Sequence, residues 1–276
     1  MKKTGFPILI LITMLTTLTG CAGIGDKSAN MSIVYLATAI FSFVLLSGYF
    51  IYPKRNAWFV VLFTCVFIVN AGYYALSVSQ TLNGALWANR FSYLGSVFLP
   101  LAMLMIMVNV CRLQYPRILP CCLSIISMVV FFIAASPGYL DIYYKSVQLT
   151  TVKGITVLDK VYGPLHHLYL YYLMIYFGAM LGVIIYAARK KHLESILHAF
   201  ILAAAMFVNV SVWLLEQLVH FDFELLSFSY IVSELFLLCL SIALKQTSQP
   251  VSILPDTATP LVQTSIDTPP KKSCSL

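Results

Sequence analysis

The stretch AWFVVLFTCVFIVNAGYYALSVS, residues 57–79, carries no charged side chain and exceeds the roughly 20 residues a helix needs to cross a hydrocarbon core. Six comparable apolar segments lie around it: Met31 to Tyr52, Phe91 to Cys111, Ile118 to Ala135, Leu165 to Arg189, Leu193 to Val219 and Glu224 to Lys245. Of the 276 residues, 60% are hydrophobic and only 10% are charged, well under the roughly 25% charged residues of an ordinary soluble domain. Polar surface could not cover so much apolar side chain in water, whereas lipid can solvate it. Within lipid a spanning segment must satisfy its own backbone polar groups, and a helix does so internally. The expected fold class is therefore an all-α membrane protein, a bundle of seven transmembrane helices spanning residues 31–245.

The segments before and after the bundle read differently. Residues 1–20 combine Lys2 and Lys3 with a short apolar run from Phe6 to Leu18, the pattern of a signal peptide. The run ends in Leu18-Thr19-Gly20-Cys21, which resembles the bacterial lipobox, so Cys21 is the candidate lipidation site. An uncleaved signal anchor is the alternative. Residues 21–30 form a short extracytoplasmic linker. Residues 246–276, rich in Pro, Thr and Ser, read as a disordered tail.

Orientation follows from the basic residues. Of the 17 lysines and arginines, two lie in the leader, ten on one side of the bundle and five on the other. Lys54-Arg55 and Arg189-Lys190-Lys191 on the richer side abut helix ends. Positive charge is retained in the cytoplasm, which puts the N-terminus outside and the C-terminus in the cytoplasm of a bacterial cytoplasmic membrane. A lipidated Cys21 requires the same side. The net charge of +7 is thus topological, and no basic patch suited to nucleic acid forms. On the outside, Ser136 to Pro164 make one long polar connection whose β-prone stretches, Tyr143 to Val152 and Ile155 to Val161, flank Lys153-Gly154. That pattern fits an extracellular β-hairpin, with an irregular loop as the alternative.

Polar side chains within the spans are the candidate site residues, because burying them in lipid is costly. In the sixth segment Asn209, Trp213 and Glu216 recur at helical spacing, and Glu234 lies near the middle of the seventh. Arg90 and Tyr93 open the third segment, and Tyr162 and His166 lead into the fifth. Together with Trp213 and Glu216 they would line a polar, aromatic-walled cup open to the outside, a reasonable ligand site. Interhelical hydrogen bonding and interfacial aromatic belts account for the same residues without a ligand. Pro100 should kink the third segment, and Gly178 and Gly182 permit close helix approach in the fifth.

Catalytic signatures are absent. His192 and Glu194 do not have zinc-protease spacing, there is no G-x-S-x-G or phosphate loop, and no cysteine pair has metal-ligand spacing. The expectation is no enzymatic activity, no metal and no cofactor.

Asn89-Arg90-Phe91-Ser92-Tyr93-Leu94-Gly95 followed by Pro100, with Gly72-Tyr73 before it and Tyr162-Gly163-Pro164 after it, resembles the N-terminal seven-transmembrane region of bacterial histidine kinases. The resemblance implies a sensory input region, and a cytoplasmic output domain would follow it in that family. Here the Pro/Thr-rich residues 246–276 stand in that place, with no H-E-x-x-x-P phosphoacceptor box. The expected function is a sensor that takes a small or lipophilic ligand from outside or from the bilayer and signals to a separate protein. A transporter or channel lined by Glu234 and Asn209, or a structural subunit of a membrane complex, are the alternatives.

Overall fold

The computed structural model describes residues 27–51, 56–152 and 155–190, with isolated positions between 204 and 235. Asn209, Trp213, Glu216, Glu234 and Cys21 lie outside the described residues. Five helices and two strands are defined: α1 (Lys27–Phe50), α2 (Ala57–Ser77), α3 (Leu82–Val110), α4 (Ile118–Ala134), β1 (Tyr144–Val152), β2 (Ile155–Tyr162) and α5 (His166–Arg189). Four of the helices, α1, α2, α3 and α5, are long and apolar enough to cross a membrane, while α4 is a shorter apolar helix.

Helix boundaries follow capping chemistry more closely than hydropathy. Asn56 accepts a hydrogen bond from the Trp58 amide at 2.9 Å and starts α2. Thr81 accepts from the Gly84 amide at 3.2 Å and starts α3. The expectation from hydropathy placed that start at Phe91, so α3 gains its first nine residues from a cap that an apolar window does not register. At 29 residues α3 is about 44 Å long, more than the hydrocarbon core is thick.

α3 is the axis of the described bundle. It packs against α2, α4, α5 and both strands, and α1 packs on α2. From Leu99 to Val108 every residue of α3 is buried. Two glycines set the α2–α3 distance. A methyl group on Gly72 would lie 2.7 Å from the backbone nitrogen of Ser92. One on Gly95 would strike the carbonyl oxygen of Cys65 and stand 2.6 Å from a Val69 methyl. Backbones this close permit extensive van der Waals contact, which matters most where lipid removes the hydrophobic drive for association. By contrast, no described atom comes within 4 Å of a methyl group built on Gly178 or Gly182. The α1–α2 contact is joined by the buried Asn70, whose amide donates to Ser42 Oγ at 3.5 Å.

β1 and β2 pair antiparallel, from Tyr144↔Tyr162 to Val152↔Ile155, with an irregularity between Tyr144 and Ser146. Leu158, Val147 and Leu149 pack on Leu76, Ala85 and Ala88, where α2 ends and α3 begins. Thr156 Oγ1 donates to the Ser79 carbonyl at 2.7 Å. The strand pair therefore lies over the end of the bundle formed by the C-termini of α2 and α4 and the N-termini of α3 and α5.

Candidate functional site

Beneath the strand pair is a cluster of aromatic hydroxyls. Tyr143 leaves the turn after α4 and is 1% exposed. The chain geometry around it is tight: the Gly163 amide donates to the Tyr143 carbonyl at 2.9 Å and the Leu165 amide to the Ile142 carbonyl at 3.0 Å. A methyl group on Gly163 would lie 2.5 Å from the Ile142 oxygen, so this crossing of chains requires glycine. Tyr143 donates its hydroxyl to Tyr93 of α3 at 3.2 Å, and the Tyr93 and Tyr144 hydroxyls share a bond of 2.8 Å. Burial, reinforced by the neighbouring Tyr93, raises the Tyr143 pKa above the usual phenol value, so the hydroxyl remains a neutral donor.

The rings hold the cluster as firmly as the hydroxyls. Tyr93 meets Tyr143 and Tyr169 edge to face, each with centroids 5.7 Å apart, the arrangement aromatic quadrupoles favour. Tyr162 stacks on His166 at 3.8 Å with the planes 13° apart. His166 also lies 5.2 Å from the Tyr143 ring, and its Nδ1 is buried without a hydrogen-bond partner. Lys160 Nζ approaches the Tyr144 ring at 5.7 Å.

From Tyr93 the polar contacts continue down α5. Tyr169, Tyr172 and Tyr176 recur at helical spacing on the stripe that faces α3 and α4. Tyr169 donates to the Ser96 carbonyl at 3.4 Å and Tyr172 to the Val97 carbonyl at 2.7 Å. Pro100 lacks an amide proton, so the Ser96 carbonyl four residues earlier has no helical donor. Ser127 of α4 meets the Tyr172 hydroxyl at 2.8 Å. Each hydroxyl also reaches a backbone carbonyl, Tyr172 that of Val97 and Ser127 that of Leu123 at 2.9 Å, so either can be the donor between them. Three helices thus converge on the proline-interrupted turn of α3.

Three of the residues anticipated from the sequence, Tyr93, Tyr162 and His166, stand in this one cluster. Arg90, one turn before Tyr93 on α3, does something different. Its Nε donates to the Ala135 carbonyl at 3.0 Å and its Nη2 to the Pro137 carbonyl at 2.6 Å. Its guanidinium carbon lies 4.9 Å from the Trp87 ring centroid and 4.4 Å from that of Tyr139. Arg90 therefore ties the turn after α4 to α3. Tyr143, Tyr144, Tyr172 and Ser127 were not singled out as site residues. A tyrosine every third or fourth position on α5 was a readable signal for Tyr172, whereas the contribution of Tyr143 depends on a chain crossing 50 residues from Tyr93. Tyr230 joins the same buried cluster as Tyr172 and Tyr176. Among the described residues no three His, Cys, Asp or Glu side chains gather as metal ligands.

Among the described residues the cluster holds no carboxylate. It is suited to transmitting strain between the strand pair and the interior of the bundle, through hydroxyls that have few alternative partners in an apolar setting. The family model described as the N-terminal 7TM region of histidine kinase matches residues 34–244. No curated protein and no solved structure gives a significant match.

Proposed function

The chain belongs to the family of N-terminal 7TM regions of histidine kinases, and on that premise we propose that it is a membrane-embedded sensory module. A stimulus reaches it at the end covered by the strand pair. The signal crosses the membrane as a shift of α3 and α5 about Pro100 and passes to a separate signalling protein. The module itself catalyses no reaction.

The family match over residues 34–244 carries this reading. The path from Tyr143 by hydrogen bond to Tyr93, by ring contact to Tyr169, and by hydrogen bonds from Tyr169 and Tyr172 to the Pro100 turn supports it. Neighbouring side chains hold this proline turn, and a ligand would shift the bundle only through differential affinity for two arrangements of it. The bundle has seven spans, two of them in the 193–245 stretch. Its N-terminus is outside and its C-terminus in the cytoplasm, in keeping with Arg112, Arg117, Arg189 and Lys190 at the end opposite the strand pair. Cys21 is the lipidated N-terminal residue of the mature chain. Tyr162 and His166 contact a small or lipophilic ligand from the aromatic cluster, and Asn209, Trp213, Glu216 and Glu234 are the further candidate contacts read from the sequence.

A fusion tests the reading. Residues 1–245 are joined through a continuous helix to the catalytic core of a soluble histidine kinase, in membrane vesicles. Tyr93→Phe and Tyr172→Phe should each change basal autophosphorylation several-fold with protein level unchanged. Identical autophosphorylation in all three proteins would sink the proposal.

A further inference from the structure

Arg90 is only 8% exposed, yet among the described residues no carboxylate pairs with it. The described residues hold two carboxylates, Asp141 and Asp159, and neither forms an ion pair with Arg90. Two carbonyls occupy its Nε and Nη2, but Nη1 is buried and has no hydrogen-bond partner. A second group without a partner stands at the same place. Ser136, between Ala135 and Pro137, whose carbonyls accept from Arg90, has a buried Oγ with no hydrogen bond. A buried cation without a counter-charge and a buried hydroxyl without a partner are each costly, and both can donate. What is missing is an acceptor that carries negative charge.

The surroundings indicate where that acceptor comes from. The guanidinium lies against Trp87 and Tyr139, which are 57% and 71% exposed. Large exposed aromatic rings at the end of a membrane helix belong at the level of the lipid headgroups, which is where phospholipid phosphates are. Gly138, at φ +85°, lets the turn fold over the arginine, since a methyl group there would lie 2.9 Å from Leu86 Cδ1. Tyr139 follows it at the outer edge of the turn, its ring centroid 4.4 Å from the guanidinium carbon.

We propose that Arg90 Nη1 and Ser136 Oγ form a phosphate-binding site, flanked by Trp87 and Tyr139, that takes the headgroup phosphate of an anionic phospholipid. The site names one ligand class for the sensory reading above and rests on it only for its physiological role. Binding itself is measured without any signalling readout, so loss of one does not imply loss of the other.

The full-length protein, purified in a neutral detergent, is titrated with short-chain phosphatidylglycerol, short-chain phosphatidylcholine or inorganic phosphate, and its thermal unfolding midpoint is followed. Phosphatidylglycerol should raise the midpoint at lower concentration than phosphatidylcholine. Arg90→Gln should weaken that response about tenfold or more, the usual cost of losing a hydrogen bond to a charged group. Ser136→Ala removes a group with no partner in the protein, so it should hold or raise the unliganded midpoint and weaken the response several-fold. It decides the matter if Arg90→Gln does not fold. Equal responses to the two lipids, or a phosphatidylglycerol response that survives Ser136→Ala, would overturn the proposal. A response to inorganic phosphate but not to lipid, lost in the variants, would support the phosphate site and overturn the lipid as its source.

Discussion

The Tyr169 hydroxyl of α5 donates to the Ser96 carbonyl of α3, the one carbonyl that Pro100 deprives of its helical donor. The long 3.4 Å bond is backed by the shorter 2.7 Å bond from Tyr172 to Val97 one residue on. A proline is tolerated in a spanning helix when neighbouring side chains satisfy what it frees. Here Tyr169 serves the freed carbonyl and Tyr172, one turn on, bonds the next one, so the proline turn and the α3–α5 contact depend on each other.

That dependence is measurable as a coupling. Tyr172→Phe removes a buried hydrogen bond to the Val97 carbonyl and a partner of Ser127, and should destabilise the protein by about 1 kcal/mol. Tyr169→Phe should cost about 1 kcal/mol in the native background. In Pro100→Ala, where the new amide supplies Ser96 directly, it should cost less. Unfolding in a denaturing detergent, analysed as a double-mutant cycle, checks this. Strict additivity of Pro100→Ala and Tyr169→Phe would show that the tyrosine does not serve the proline turn.

Glycines in the chain should differ sharply in tolerance. Gly95→Ala and Gly72→Ala place a methyl group against the backbone of the facing helix, and both should lower the yield of monodisperse protein. Gly163→Ala meets the Ile142 carbonyl at 2.5 Å and should do the same. Gly178→Ala meets no described atom within 4 Å and should be neutral. Fluorescence-detected size exclusion separates these outcomes, and equal yields for Gly95→Ala and Gly178→Ala would contradict the packing described for α2 and α3.

The strand pair is fastened at two places, by Tyr143 and Tyr144 on Tyr93 and by Thr156 on the Ser79 carbonyl. Tyr93→Phe removes the hydroxyl on which the first attachment converges. Thr156→Val removes the second. Each should speed amide exchange in peptides covering residues 144–162, and the double variant should speed it further. Exchange that stays at the native rate in the double variant would mean that apolar packing of Leu158, Val147 and Leu149 alone holds the strands.

Orientation can be read with introduced cysteines at exposed positions. Ser146→Cys lies on β1, and Gln114→Cys lies in the connection between α3 and α4, at the other end of the bundle. With the N-terminus outside, a membrane-impermeant maleimide should label Ser146→Cys in intact cells. It should label Gln114→Cys only after lysis, as located by peptide mass spectrometry. The reverse pattern would invert the topology.

The membrane class was legible from composition and the spacing of apolar runs, because lipid penalises every unpaired backbone group and every stranded charge along the whole chain. Hydropathy placed the ends of α2 and α5 within about two residues of the helices and missed the start of α3, where Thr81 and not apolarity decides. Tyr93, Tyr162 and His166 were recognisable as polar aromatic residues near one end of their helices. Their link to Tyr143 was not, because those contacts join positions about 20 to 50 residues apart in the chain.

The amino-acid sequence by itself determined that this chain lives in a bilayer as a helical bundle and which family it belongs to, since both are written in local patterns of apolar, aromatic and glycine residues. Tertiary structure alone decided what Arg90 and the motif glycines do. Arg90 turns to the carbonyls after α4, and Gly72 and Gly95 bring two backbones into contact. The physical reason is that a buried polar or glycine position acquires its role from the partner across the interface, and one-dimensional spacing does not name that partner.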